Sequence, residues 1–175
     1  MISHIYQETG PLTTSVVSLD FYKELVNICY KNEIWILSDL AYAEIYYDIL
    51  PPPSILQIKK AKNIAVEFTS MSKTFSMPGW RIGFACGNKK LISALSRIKS
   101  YLDYGAFTPI QVAATAALNG PQDCIDEIRG IYKKRRDVLV SSFKRIGWSF
   151  SPPLATMFAW APIPERYSNR GSLYF

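Results

Sequence analysis

Two short apolar runs, each closing on a polar cluster, constrain this chain more than any other feature. Ile34-Trp35-Ile36-Leu37 ends in Ser38-Asp39, and Ile64-Ala65-Val66-Glu67-Phe68 ends in Thr69-Ser70. The first run is continuous rather than alternating, which predicts a strand buried on both faces, as in a parallel sheet. Ile82-Gly83-Phe84-Ala85-Cys86 predicts a third strand. Between the first two runs, Pro51-Pro52-Pro53 forbids regular helix within the long connection of residues 40–62.

Helical patterns surround these strands. Tyr22, Leu25, Val26 and Cys29 share one face of a helix from Leu19 to Tyr30, with Ser18 or Asp20 as its cap. Leu91, Ile92, Leu95 and Ile98 fall at helical spacing within Lys89 to Tyr101. Thr108-Pro109 reads as an N-cap followed by the first helical position, and Gly120-Pro121 as a stop. A longer helix runs from about Gln122 to Ile146 and ends at Gly147. Residues 1–15 show no clear period, and from Trp148 the chain turns rich in proline and aromatics. The order predicts an α/β layered domain over residues 16–147. An atypical segment, 1–15, precedes it, and 148–175 leaves it.

Composition narrows the chemistry. With 49% apolar and 19% charged residues the chain is globular in character. No apolar run approaches the roughly 18 residues a membrane span needs, so no membrane role is expected. The opening residues, Met1 to Glu8, lack a basic stretch followed by an apolar core, so no signal peptide is expected. The single histidine, His4, argues against a His-rich metal site and against a Ser–His or Cys–His pair. Cys29, Cys86 and Cys124, odd in number and widely spaced, predict buried reduced thiols in a cytoplasmic protein. A net charge of +6 admits nucleic acid, but no RNA-binding or zinc-finger pattern accompanies it. Lys133-Lys134-Arg135-Arg136 reads instead as a solvated helix face. Any chemistry must therefore come from Lys, Asp, Tyr, Ser and Arg, with or without a cofactor.

In layered α/β sheets, ligands collect beyond the C-terminal ends of the strands. Asp39 and Tyr42 follow the first strand there, and Ser70-Met71-Ser72-Lys73 follows the second. The connection from Thr69 to Trp80 is long for a plain link, which favours a functional loop. A lysine amine freed of its proton by burial or a nearby cation forms Schiff bases. A carboxylate at a buried strand end, such as Asp39, needs a positive partner, and a protonated pyridine nitrogen supplies one. The Tyr42 phenol suits a hydrogen bond to the same ring, and Ser70, Ser72 and Arg81 suit a phosphate, with Arg81 able to bind it bidentately. Taken singly, each residue has a blander meaning. Lys73 reads as a surface lysine, Asp39 as a turn former, Arg81 as a solvated strand-start residue, Tyr42 as a packed aromatic and Ser72 as a loop hydroxyl.

Together, Asp39-Leu40-Ala41-Tyr42, Ser70-Met71-Ser72-Lys73 and Gly79-Trp80-Arg81-Ile82-Gly83-Phe84 resemble the active-site segments of fold-type I pyridoxal-phosphate aminotransferases. The closer resemblance is to the bacterial alanine (glutamate–pyruvate) transaminase and LL-diaminopimelate aminotransferase branch. Ser100 to Pro109 and, more loosely, Ala155 to Trp160 extend it. The resemblance implies the central part of the large domain, a mostly parallel sheet with flanking helices, and the start of a small domain after residue 147. It implies pyridoxal 5'-phosphate held by Lys73 as a Schiff base, with the freed Lys73 amine moving the proton at the substrate Cα. It gives Asp39 to the ring nitrogen, Tyr42 to the ring hydroxyl, and Ser70, Ser72 and Arg81 to the phosphate. Amino acids and 2-oxo acids become the expected substrates and a homodimer or other self-association the expected assembly. Tyr104 is either a packed aromatic or a residue reaching a partner subunit's site.

Departures from the family pattern shape the expectation. Pro11-Leu12-Thr13 stands where the family has Asn-Pro-Thr, so the ring-binding asparagine is absent. The family's phosphate-capping loop and ring-stacking aromatic lie upstream of the matched span, and its substrate-carboxylate arginine lies downstream. The chain alone is therefore expected not to transaminate, and to expose an open strand edge and apolar surface. A non-catalytic remnant or assembly module is the second reading. A rival pattern, the Ser-x-x-Lys of penicillin-recognising acylases, fits Ser70–Lys73 but lacks the downstream Ser-Asp-Asn and Lys-Thr-Gly.

Overall fold

The computed structural model describes the backbone of residues 2–5 and residues 16–170 in full but for the side chain of 170. Pro11-Leu12-Thr13 lies outside the described residues. The sheet has four strands in the order β1 (Ile2–Ile5), β2 (Trp35–Asp39), β3 (Ala65–Ser70) and β4 (Gly83–Gly87). β1, β2 and β3 run parallel, with Ile36 opposite Ala65 and Asp39 opposite Phe68. β4 runs antiparallel to β3, with Ser70 opposite Gly83 and Val66 opposite Gly87. Residues 71–82 are too few to carry a crossover helix, and a reversed neighbour is what so short a link permits. β1 is a strand that the sequence pattern did not reveal; four residues are too few to establish a period.

The main core cluster gathers around the first helix, β2 and β3. Helix α1 (Leu19–Lys31) is capped by Ser18, whose Oγ accepts from the Phe21 N–H at 3.2 Å. Its buried face of Tyr22, Val26 and Cys29 packs with Ile36, Ile55, Ala61, Ile64 and Ala65. The proline-rich connection is not helical; it makes two short 3-10 turns, Ile55–Gln57 and Ala61–Asn63, that deliver Ile55 and Ala61 to that core. Glu67 is buried in the same region. Its carboxylate accepts from Ser54 Oγ at 2.9 and 3.0 Å and from the Ile55 N–H at 3.1 Å, and burial pushes its pKa up.

Several expectations are corrected. β2 is not buried on both faces: Ile36 and Ser38 are buried, Trp35 and Leu37 half-buried and Asp39 exposed. Thr108 is not a cap but the first residue of its helix; Phe107 stands at the cap position without a side-chain bond. Cys29 is buried, but Cys86 and Cys124 are exposed free thiols. The basic cluster on the last long helix is only half solvated. Lys134 and Arg135 are exposed, whereas Lys133 and Arg136 pair with Asp48, and Arg136 also donates to the Pro153 carbonyl at 3.1 Å.

Three helices follow β4: α3 (Lys89–Leu102), α4 (Thr108–Asn119) and α5 (Asp123–Arg145), which Gly147 terminates at φ 79°. The one-turn helix between β3 and β4, Met71–Thr74, is the site helix. Among α3, α4 and α5 only Ala114 is buried, and Tyr101, Leu102, Phe107, Val112 and Val138 are more than 60% exposed. No helix among the described residues is long and apolar enough to cross a membrane.

Candidate active site

Because β2 and β3 are parallel neighbours, Asp39 and the Ser70–Lys73 segment leave the sheet at the same end. Each is shaped by its own side chain. Asp39 Oδ1 accepts from the Ala41 N–H at 3.0 Å, which turns the chain toward Tyr42. Ser70 Oγ accepts from the Ser72 N–H at 3.1 Å and starts the one-turn helix that carries Lys73. The loop then returns: the Met71 N–H donates to the Ile82 carbonyl at 3.1 Å, and Ser70 lies opposite Gly83. Gly83 is a steric requirement of that return, since a Cβ there would lie 2.5 Å from the Thr69 carbonyl oxygen. Arg81 thus sits two residues before the strand pair, with a left-handed backbone at φ 52° and one guanidinium nitrogen donating to the Pro78 carbonyl at 2.9 Å.

Tyr42 is where the two strand ends meet. Lys73 Nζ lies over its ring, 5.4 Å from the centroid. Burial first, then the negative charge of Asp39 and the phenol of Tyr132, push the Tyr42 pKa up, so its proton is firmly held. Lys73 is half-buried, and among the described residues its amine makes no hydrogen bond or ion pair; the Tyr42 ring is its polar neighbour. Ser70 is half-buried, Ser72 buried and Arg81 exposed. Tyr104 is 93% exposed with a left-handed backbone, so packing does not account for it.

Ala155 to Trp160, part of the loose resemblance but given no site role from the sequence, come to Tyr42 in the fold. Phe158 meets the Tyr42 ring edge-on, with centroids 5.6 Å apart and planes at 70°. Glu44, two residues beyond Tyr42, is held by Arg129 of α5, whose Nη2 lies 3.1 Å from Glu44 Oε2. A cavity of about 260 Å³ adjoins this region, lined by Tyr47, Tyr132, Arg135, Arg136 and Phe158 among others. Asp39, Lys73 and Arg81 do not line it, so it is separate from the polar cluster.

An amine and a carboxylate thus stand at adjacent strand ends, with a phenol ring against the amine and an arginine on the returning loop. The sequence model of the aminotransferase class I and II family matches residues 13–170, and the chain belongs to that family. It is 63% identical over 163 residues to a putative aminotransferase AatC of Rhizobium meliloti (strain 1021), covering 93% of this chain and 40% of that protein. It is 51% identical to the glutamate-pyruvate aminotransferase AlaC of Escherichia coli (strain K12) over the same shares. An apo-BacF structure from Bacillus subtilis superposes with a TM-score of 0.89 at 32% identity, over 99% of this chain and 44% of that one. The chain spans about 40% of the length of the curated relatives it matches.

Members of this family use pyridoxal 5'-phosphate. The donor set here fits that group. A half-buried amine without an acceptor among the described residues suits an aldehyde, an open carboxylate suits a protonated ring nitrogen, and a guanidinium and serine hydroxyls suit a phosphate.

Proposed function

We propose that this chain carries the cofactor-holding core of an aminotransferase, moving an amino group between an amino acid and a 2-oxo acid, with alanine and glutamate as the favoured donors. One observation carries the reading: Lys73 Nζ, half-buried and without a hydrogen-bond acceptor among the described residues, rests on the ring of Tyr42 beside Asp39. Lys73 would hold the cofactor through its aldehyde, and its free amine would act as the base that takes the proton from the substrate Cα and delivers it to the cofactor carbon that receives the amino group. The Asp39 carboxylate would keep a proton on the ring nitrogen. The Tyr42 phenol, whose proton is firmly held, would donate to the ring oxygen. Ser70, Ser72 and Arg81 would bind the phosphate. Bound pyridoxal phosphate supplies the sink for the electron pair left at Cα.

The relatives carry sequence outside the matched span, and turnover needs it in this reading. Purified alone, the chain is expected to bind cofactor without alanine–2-oxoglutarate turnover; measurable turnover would overturn that part. Self-association, as a homodimer or otherwise, is supported by the exposed apolar residues of α3, α4 and α5, with Tyr104 as a candidate contact to a partner site. The same exposure favours a second reading, a non-catalytic assembly module. The widely spaced cysteines suit a reducing cytoplasmic compartment. The deciding experiment is absorbance after incubation with pyridoxal phosphate. A yellow band that borohydride abolishes and Lys73→Ala removes is expected; a colourless protein would favour the assembly module.

A further inference from the structure

We propose that Phe158 is a positioning residue, which fixes the Tyr42 ring beneath the Lys73 amine. The proposal rests on the assignment of Lys73 and Tyr42 to the cofactor. Tyr42 is only half-buried and stands in a turn, so little in its own segment fixes the rotation of its ring. Lys73 approaches the ring face at 5.4 Å and Phe158 meets it at 70° from a segment more than a hundred residues later in the chain.

That later segment is tied back to the turn after Tyr42. The Tyr47 N–H donates to the Leu154 carbonyl at 2.8 Å, and the Thr156 N–H donates to the Ile45 carbonyl at 2.8 Å. The Tyr47 phenol donates to the Thr156 carbonyl at 2.7 Å. Thr156 is buried and adopts a left-handed backbone at φ 67°, which costs energy in a β-branched residue and persists only where surroundings enforce it. Its Oγ1 accepts from the Phe158 N–H at 3.2 Å, which aims the chain at Tyr42. Four hydrogen bonds and one strained residue thus bring a single ring to the phenol. Phe158 remains 38% exposed, so the fold has little stake in burying it. Edge-to-face pairs contribute beyond the area they bury, and here that contribution resists rotation of Tyr42.

The test uses the whole chain in two states. In cofactor-free protein carrying lysine labelled with ¹³C at Cε, the Lys73 resonance, identified by its loss in Lys73→Arg, is expected upfield of other lysines through the Tyr42 ring current. Phe158→Ala should move it toward the bulk position, and Phe158→Tyr should restore it. In the second state, Phe158→Ala should weaken pyridoxal phosphate binding about 2- to 10-fold, with Phe158→Tyr near the parent value. Phe158→Leu keeps bulk without a ring edge and should behave like alanine even if alanine perturbs folding. An unmoved Lys73 resonance in folded Phe158→Leu protein would overturn the proposal. Failure of the parent chain to bind pyridoxal phosphate would instead overturn the assignment of the site, and the cofactor-free arm still reports on Phe158.

Discussion

The two sides of the molecule are built to different standards. Around α1, buried Tyr22, Val26, Cys29, Ile36, Ile55 and Ala65 form a closed core, and the strand ends bearing Asp39 and Lys73 grow out of it. Around α3, α4 and α5 a single alanine is buried, and apolar side chains face outward. The first side can hold a site to the tolerance that catalysis demands. The second has an apolar surface still seeking cover. β4, antiparallel and exposed along much of its length, is the seam between them.

The seam should give the largest effect. A Cβ at Gly87 would lie 2.3 Å from the Ala65 carbonyl oxygen, and its φ of 145° disfavours any side chain. Gly87→Ala should therefore cost about 4 kcal/mol in chemical denaturation, or unfold the chain. Ile36→Ala, in the closed core, should cost about 3 kcal/mol. If it costs no more than a substitution on α5, the contrast between the two sides is wrong.

A pH series sharpens the contrast further. Burial raises the pKa of Glu67 above its unfolded value, so the folded chain holds that proton more tightly. This contribution is fully present below the unfolded pKa and is lost as pH rises through the folded one. Glu67→Gln should gain stability over the parent as pH climbs through that window. A constant difference between the two proteins would show the carboxylate to be better solvated than the core around it. The exposed Asp20, Asp48 and Asp103, whose pKa values nearby lysines lower, have the opposite sign but cancel in the comparison.

The smallest effect belongs to the open side. Val138 is 65% exposed on α5, and Val138→Ser should change stability by less than about 0.5 kcal/mol. Sedimentation should nevertheless show weaker self-association. A large loss of stability would mean that this face is buried in the folded protein in solution.

Most of the fold was legible in the residues because hydrophobic period and caps are local signals. Ser18, Gly120 and Gly147 end or begin helices where the pattern requires. The strand-end segments with Asp39 and Lys73 were equally legible, since a polar cluster closing an apolar run is visible in one dimension. What stayed hidden depends on distance in the chain. Phe158 reaches Tyr42 only through the left-handed turn at Thr156. Arg136 finds Asp48 across the fold, so a run of four cations looked uniformly solvated when half of it is paired. Glu67 sat unremarked within a strand run, and it is the buried acceptor that closes the proline-rich connection.

The backward course of β4 has a consequence for how this protein could change over time. Lys73 and Arg81 both lie in the connection between β3 and β4, whose two ends are tied by the pairing of Ser70 with Gly83 and by the Met71 N–H on the Ile82 carbonyl. Additions at exposed Ser76, before the turn that carries Arg81, would leave that tie in place. A one-residue slip of the pairing would turn Phe84 to the other face and pull the connection that carries Arg81 out of register. Drift in loop length is cheap here, and drift in register is not.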